Sequence, residues 1–284
     1  MKEGVATMTD TISIPGAEVT LYRDAPLFEG QRTAAMGGFA CETPELGARV
    51  IREAMTALKA EGFGAVLGPM DGNTWAKHRL VVESDGRAPF LMEPHNPPHY
   101  VDAFEQSGLK IVSRYLSAVR PAEALHSDTL PLPGLRLRTL DLSRAEAELT
   151  RIHAVSLEAF ASNTFYQPIV LEDFLASYRP ILPMIDPELV LLAEDEAGAL
   201  KGFLFAAPDF AEGAKPKTVI LKTYASRAKG GGSMLAGAFY ARAKAKGFTE
   251  VINALMHESN LSARHSGNQG SRIFRRYALW GGLL

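Results

Sequence analysis

The 284 residues include a single cysteine, Cys41, which excludes an intramolecular disulfide and suits a reducing compartment. No C-x-x-C pair occurs and the seven histidines are scattered, so no structural zinc pattern is present. No segment approaches the ~20 consecutive apolar residues that span a bilayer. The N-terminus, with Asp10 and few apolar runs, does not read as a signal peptide. A formal net charge of -2 leaves no broad basic surface for nucleic acid. These absences predict a cytoplasmic protein without membrane, nucleic-acid or metal partners. What is present, 46% hydrophobic and 22% charged residues, is ordinary for a folded chain with one large or two modest domains.

One absence is local and more informative. Between Glu212 and Glu250 there is no acidic residue, while Lys215, Lys217, Lys222, Arg227, Lys229, Arg242, Lys244 and Lys246 all fall there. Inside this cationic island lies the run Arg227-Ala-Lys229-Gly230-Gly231-Gly232-Ser233. A strand-like segment, Thr218–Ala225, feeds it; a helix-like segment, Ser233–Lys246, leaves it; and Thr249–Met256 reads as the next strand. Glycine lets the backbone turn its N–H groups inward. A helix start adds unpaired donors and the positive end of the macrodipole. The stretch reads as a phosphate site.

Several phosphate loops compete for this pattern. A nucleotide P-loop needs Lys-Ser/Thr after its glycines, and none follows here. A dinucleotide loop fits Gly230 and Gly232, but Leu235 stands at the third glycine position. Glu250 begins the next strand instead of ending it. A plain flexible turn is the bland alternative. The run also resembles the acyl-CoA loop of the GNAT acyltransferase superfamily, Gln/Arg-x-x-Gly-x-Gly/Ala, matched at Arg227, Gly230 and Gly232. The element order around it is similar to that family's, with Asn260 heading a short segment where the family often has asparagine. That family usually has several residues between strand and arginine, whereas only Ser226 intervenes here.

The chain also repeats itself. Ala60-Glu-Gly62-Phe63-Gly-Ala-Val66-Leu67 returns as Ala245-Lys-Gly247-Phe248-Thr-Glu-Val251-Ile252, 185 positions on (62 to 247). Gly108-Leu-Lys-Ile111-Val-Ser-Arg114-Tyr115 returns as Gly270-Ser-Arg-Ile273-Phe-Arg-Arg276-Tyr277, 162 positions on (108 to 270). Two colinear matches predict a tandem duplication. The expected layout is an α/β, mixed-sheet chain with a first half at 1–125, a Pro-rich linker at 126–134 and a second half at 135–284.

The second half reads as strand Leu135–Leu140 and a capping box, Ser143 to Glu146, opening a helix to about Phe160. A helix at Glu172–Tyr178 follows, then a hairpin of Val190–Ala193 with Leu200–Ala206 before the loop, which completes the layout the GNAT resemblance implies. The first half starts at Val19–Tyr22 and Thr33–Ala40 and carries Cys41-Glu42-Thr43-Pro44-Glu45 at the loop position. Thr43 and Pro44 suit a helix start, but Glu42 and Glu45 would repel a diphosphate. The first half is therefore expected to be an incomplete, degenerate GNAT-like partner.

The resemblance implies acyl transfer from acetyl-CoA or another acyl-CoA to a small-molecule or peptide amine. It implies an oxyanion donor on the backbone near the end of Lys222–Ser226, with Thr223 and Ala225 beside the pantetheine arm. The diphosphate would lie over the amides of Lys229, Gly230, Gly231, Gly232 and Ser233, and Arg227 and Lys229 would add charge. Tyr277 is a candidate acid, although its counterpart Tyr115 in the half without a loop suggests shared packing. His257 and Glu258 are candidate bases, or a solvated turn. Asn260 would hold a coenzyme carbonyl or cap the short helix. His153 and Glu158 read as the polar face of a helix. The His95–Tyr100 segment is either an acceptor-groove wall or an extended turn before a helix. Two other classes stay open: a non-catalytic acyl-CoA sensor, and an aminoacyl transferase. Acceptor, acyl length and oligomeric state are not legible.

Overall fold

The structure, a computed structural model, describes residues 9–124, 131–260, 263, 266–267 and 270–284. The described elements of the first half are β1 (Thr9–Ile14), β2 (Ala17–Tyr22), β3 (Thr33–Cys41), α1 (Pro44–Ala60), β4 (Ala65–Gly68), β5 (Leu80–Ser84), α2 (His99–Gln106) and β6 (Lys110–Pro121). Those that follow are β7 (Leu135–Thr139), α3 (Ala145–Ala159), α4 (Leu171–Tyr178), β8 (Val190–Asp195), β9 (Leu200–Pro208), β10 (Thr218–Ser226), α5 (Gly231–Ala245), β11 (Glu250–His257) and β12 (Arg272–Leu283). No helix among the described residues is long and apolar enough to cross a membrane.

The chain forms two compact units. The first takes Met1–Leu116, Asn163–Gln167 and Phe274–Leu284; the second takes Ser117–Ser162 and Pro168–Ile273. In the first unit the strands run β1-β2-β3-β4-β12 and then the start of β6, with β5 also paired to β12. In the second they run from the end of β6 through β11-β10-β9-β8 to β7. The sequence halves and the compact units therefore part company at the strand that closes each half. β12, from the end of the chain, pairs antiparallel with β4, Trp280 opposite Gly68. The end of β6 stands beside β11, whose Leu255 amide donates to Ser117 Oγ at 2.9 Å. Residues 125–130 of the expected linker lie outside the described residues.

Each unit has its own core. In the first, Val50, Ile51, Ala54 and Leu58 of α1 pack on Val19, Leu21, Ala34 and Met36, with Phe104 and Trp280. In the second, Met234, Leu235, Phe239 and Ala243 of α5 pack on Leu191, Leu204, Val219, Leu221 and Val251. Each fully buried Leu or Phe contributes about 1.5–3 kcal/mol.

The duplication is visible in hydrogen bonds. α1 ends with Gly62 at φ +82°, its amide on Lys59 O at 3.0 Å and the Phe63 amide on Leu58 O at 3.0 Å. α5 ends with Gly247 at φ +82°, its amide on Lys244 O at 3.0 Å and the Phe248 amide on Ala243 O at 3.1 Å. Only glycine takes that left-handed cap without strain. The same spacing governs the central strands: Thr33↔Ala65 and Thr218↔Glu250 begin two parallel ladders of matching register.

Three sequence expectations need correction. The first half opens one strand earlier, because Gly16 at φ +81° turns exposed β1 onto β2. Asp141, not Ser143, opens the α3 region: its carboxylate accepts from the Ser143 amide, and α3 proper starts at Ala145. His153 is not on a polar face; it is buried, with Nε2 2.8 Å from Ile169 O and its ring against Phe174.

Candidate functional site

The site begins where β10 and β11 separate. Their parallel ladder covers Thr218–Leu221 with Glu250–Asn253 and stops there, although β10 continues to Ser226 and β11 to His257. On its other edge β10 stays paired with β9, with a register shift between Leu221 and Thr223 that bulges Lys222. A strand paired on one side and leaving its neighbour on the other presents main-chain donors and acceptors along the fork. Thr223 and Ala225 lie along this stretch opposite Phe205 and Phe203, and Tyr224 alternates to the face beneath α5.

The glycine loop follows directly. Gly230 is the N-cap of α5 at φ +79° and offers no side-chain cap. The Gly231 amide bonds Ala228 O at 3.0 Å and the Met234 amide bonds Gly230 O at 3.1 Å. The amides of Lys229, Gly230, Gly232 and Ser233 have no acceptor among the described residues. The three glycines serve different ends. Gly230 takes the positive φ. Gly231 makes room, since a Cβ there would stand 2.2 Å from Ser226 Oγ. A Cβ on Gly232 would make ordinary contact, 3.4 Å, with the Tyr224 ring, so internal packing does not demand glycine there.

The cationic island divides. Arg227, although exposed, is tied to its neighbours: its guanidinium bonds Glu158 at 2.5 Å and Leu200 O at 2.7 Å, and its amide bonds Lys201 O. Glu158 is thus the anchor of Arg227. Lys246, near the far end of α5, pairs with Asp186 at 3.0 Å and with Glu188. Arg242 and Lys244 occupy the last turn, where cations complement the helix dipole. Lys229, exposed and without an ion pair among the described residues, is the cation left beside the cradle.

The proposed catalytic residues separate. His257 ends β11 and Glu258 opens the turn after it, both in the second unit. His257 Nδ1 accepts from the Ser259 amide at 3.2 Å and lies 2.8 Å from Ser259 Oγ. An acceptor at Nδ1 puts the proton of the neutral ring on Nε2. The Asn260 amide bonds His257 O at 3.0 Å, and its own carbonyl accepts from Ala263 at 3.1 Å, a turn-capping arrangement. Tyr277 belongs to the first unit, fully buried, its hydroxyl donated to Glu93. Burial pushes the Glu93 carboxyl up, against the pull of Tyr277 and of Arg275 at 3.0 Å. Tyr277 and its repeat mate Tyr115 both flank Arg79, whose guanidinium lies 4.0 Å over the Tyr115 ring and which burial pulls down to about 10.

Sequence reading missed the second unit's tyrosines. Tyr224 and Tyr240 stand at the α5 side of the fork; Tyr240 Oη donates to Asn253 Oδ1 at 3.4 Å, and burial raises the Tyr240 phenol to about 12. Their apolar spacing gave no signal. The His95–Tyr100 segment is first-unit scaffold: Asn96 Oδ1 accepts from the Val81 amide, and His99 Nε2 lies 2.9 Å from Cys41 O at the start of α2.

A bulged central strand, a fork, a glycine turn and a helix in this order decide the architecture. The chain has the fold of the GCN5-related N-acetyltransferases. It is similar to one such protein from Sphaerobacter thermophilus at TM-score 0.55 and 14% identity, over 94% of this chain and 76% of that one. It matches a tandem GNAT protein from the clavulanic acid biosynthesis pathway at TM-score 0.54 and 14% identity, over 98% and 83%. A probable N-acyltransferase from Enterococcus faecalis V583 matches at TM-score 0.58 and 11% identity, over 94% of this chain and 59% of that one. No sequence-family description and no curated protein matches the chain. Likeness at this identity is likeness of fold, and the GNAT fold carries many acceptors.

Proposed function

We propose that the second half is an acyl-CoA-dependent N-acyltransferase acting on an amine. The observation that carries the reading is the continuity of the β10–β11 fork with the four amides around Gly230–Ser233 that find no acceptor among the described residues. The residues fit the coenzyme: donors lie at a helix N-terminus, Lys229 is beside them, and the Glu158 carboxylate is already held by Arg227 and that of Asp195 by Lys201. When bound, an acyl-CoA would supply the activated acyl group and a thiol leaving group. The amides of Lys229, Gly230, Gly232 and Ser233 would hold the diphosphate. The β10 edge at Lys222–Ala225 would orient the acyl carbonyl and offer it a main-chain donor. His257, with its Nε2 proton, suits a donor to a developing oxyanion, and Glu258 suits the acceptor of the amine's proton, directly or through water. Tyr277 is not carried forward, because its hydroxyl is committed to Glu93.

Isothermal titration with acetyl-CoA tests the reading. Micromolar to low-millimolar binding at one site per chain, with thiol release across an amine panel, is the expected result. Binding without thiol release would instead support a sensor. No binding at all would remove both.

A further inference from the structure

The segment entering β7 lies against the glycine turn. The Leu135 amide bonds Leu132 O at 3.1 Å, and Gly134 at φ +75° closes a tight turn there. This turn directs the Leu132 amide at Met234 Sδ, 3.4 Å away on the first turn of α5. The Leu132 side chain joins the apolar cluster beneath α5. A Cβ built on Gly230 would stand 3.3 Å from Leu132 Cδ1 and 3.5 Å from Cδ2, with no other group within 4 Å. Together with Asp195, Lys201, Arg227, Ala228 and Lys229, the same segment walls a cavity of about 500 Å³. Residues 227–229, which lead into the glycine turn, thus border open space, and Leu132 is the side chain set against Gly230.

We infer that Leu132 is a positioning residue for the anion cradle, acting through Gly230 to hold the amides of Gly232 and Ser233 in place. A triglycine run is expensive to order. A turn restrained before binding loses less entropy when a diphosphate arrives, and this appears as affinity. The bracing comes from the described end of the linker, so residues 132–134 are part of the site. The inference rests on the proposed coenzyme reading.

Two measurements on full-length wild type, Leu132→Ala and Leu132→Met separate the possibilities. In titrations, Leu132→Ala should bind coenzyme A about three- to ten-fold more weakly. Pantetheine, which lacks the diphosphate, should bind all three proteins alike, and Leu132→Met should restore the wild-type affinity. In hydrogen exchange without ligand, Leu132→Ala should accelerate amides at 229–233 and leave the rest of α5 unchanged. Unchanged exchange there, or equal weakening of both ligands, overturns the role of Leu132. Failure of the wild type to bind coenzyme A overturns the functional reading instead, and with it the cradle's purpose.

Discussion

The two halves fork at the same place and treat the fork oppositely. In the first unit the β3–β4 ladder ends at Ala35↔Leu67. The chain then crosses the gap itself: the Met70 amide bonds Met36 O at 2.8 Å, and Asp71 Oδ1 accepts from the Gly38 amide at 2.8 Å. Gly37 makes the crossing possible, since a Cβ there would stand 2.2 Å from Asp71 Oδ1 and 2.6 Å from Met70 O. The start of α1 is closed as well, with Thr43 Oγ1 accepting from the Leu46 amide. In the second unit the ladder ends, the strands continue and the cap residue is a glycine with nothing to offer. One copy satisfies its own polar groups and becomes scaffold. The other leaves the amides of Lys229, Gly230, Gly232 and Ser233 without an acceptor among the described residues.

The largest expected effect comes from giving the open fork a carboxylate. Gly232→Asp should lower coenzyme A affinity by at least about 100-fold, because a like charge is placed on the diphosphate. Thermal stability should hold, since the added Cβ makes only ordinary contact. Loss of binding with loss of fold would break the comparison.

Next come the two tyrosine and carboxylate sites that sequence reading grouped as catalytic. Glu258→Gln should reduce kcat by about 10²-fold with little change in KM. Tyr277→Phe should leave kcat unchanged and cost about 1–3 kcal/mol of stability, because buried Glu93 loses a donor. A kcat loss for Tyr277→Phe would return that residue to the mechanism.

In the closed fork, Gly37→Ala should destabilise the first unit by about 1–3 kcal/mol, the range for overpacking against backbone. Coenzyme affinity should not change, and a change would show that the closed fork serves more than scaffolding.

The smallest effect concerns acid. Hydrogen bonds from Arg138, opposed by desolvation and assisted by Arg151, hold the Glu194 carboxyl down at about 2 against an ordinary 4.5. A depressed folded value means this stabilisation is complete above about 4.5 and is lost as pH falls toward 2. Melts of wild type between pH 5 and 2 should therefore fall more steeply than those of Glu194→Gln, since Glu194 ties β7, β8 and α3 of the second unit together. Parallel curves would show that the network adds nothing.

Much of the fold was legible because its signals are local. The strand, glycine turn and helix around Gly230 stand within one or two residues of expectation, and α5 begins at Gly231 instead of Ser233 because glycines entered its first turn. Gly62 and Gly247 were readable as repeats, since a left-handed cap selects one residue type wherever it recurs. The catalytic assignments were less legible. Tyr277 looked like a partner of the loop by chain order, yet β12 enters the first unit, and no local pattern says which sheet a final strand joins.

By itself, then, the sequence determined the repeated pattern and the strand, glycine turn and helix around Gly230, all written in residues close together in the chain. Tertiary structure alone decided that Met70 and Asp71 seal one fork, that Arg227 is spent on Glu158, and that Leu132 braces Gly230. Those contacts join residues far apart in sequence, and only packing and the demand that buried polar groups find partners select them.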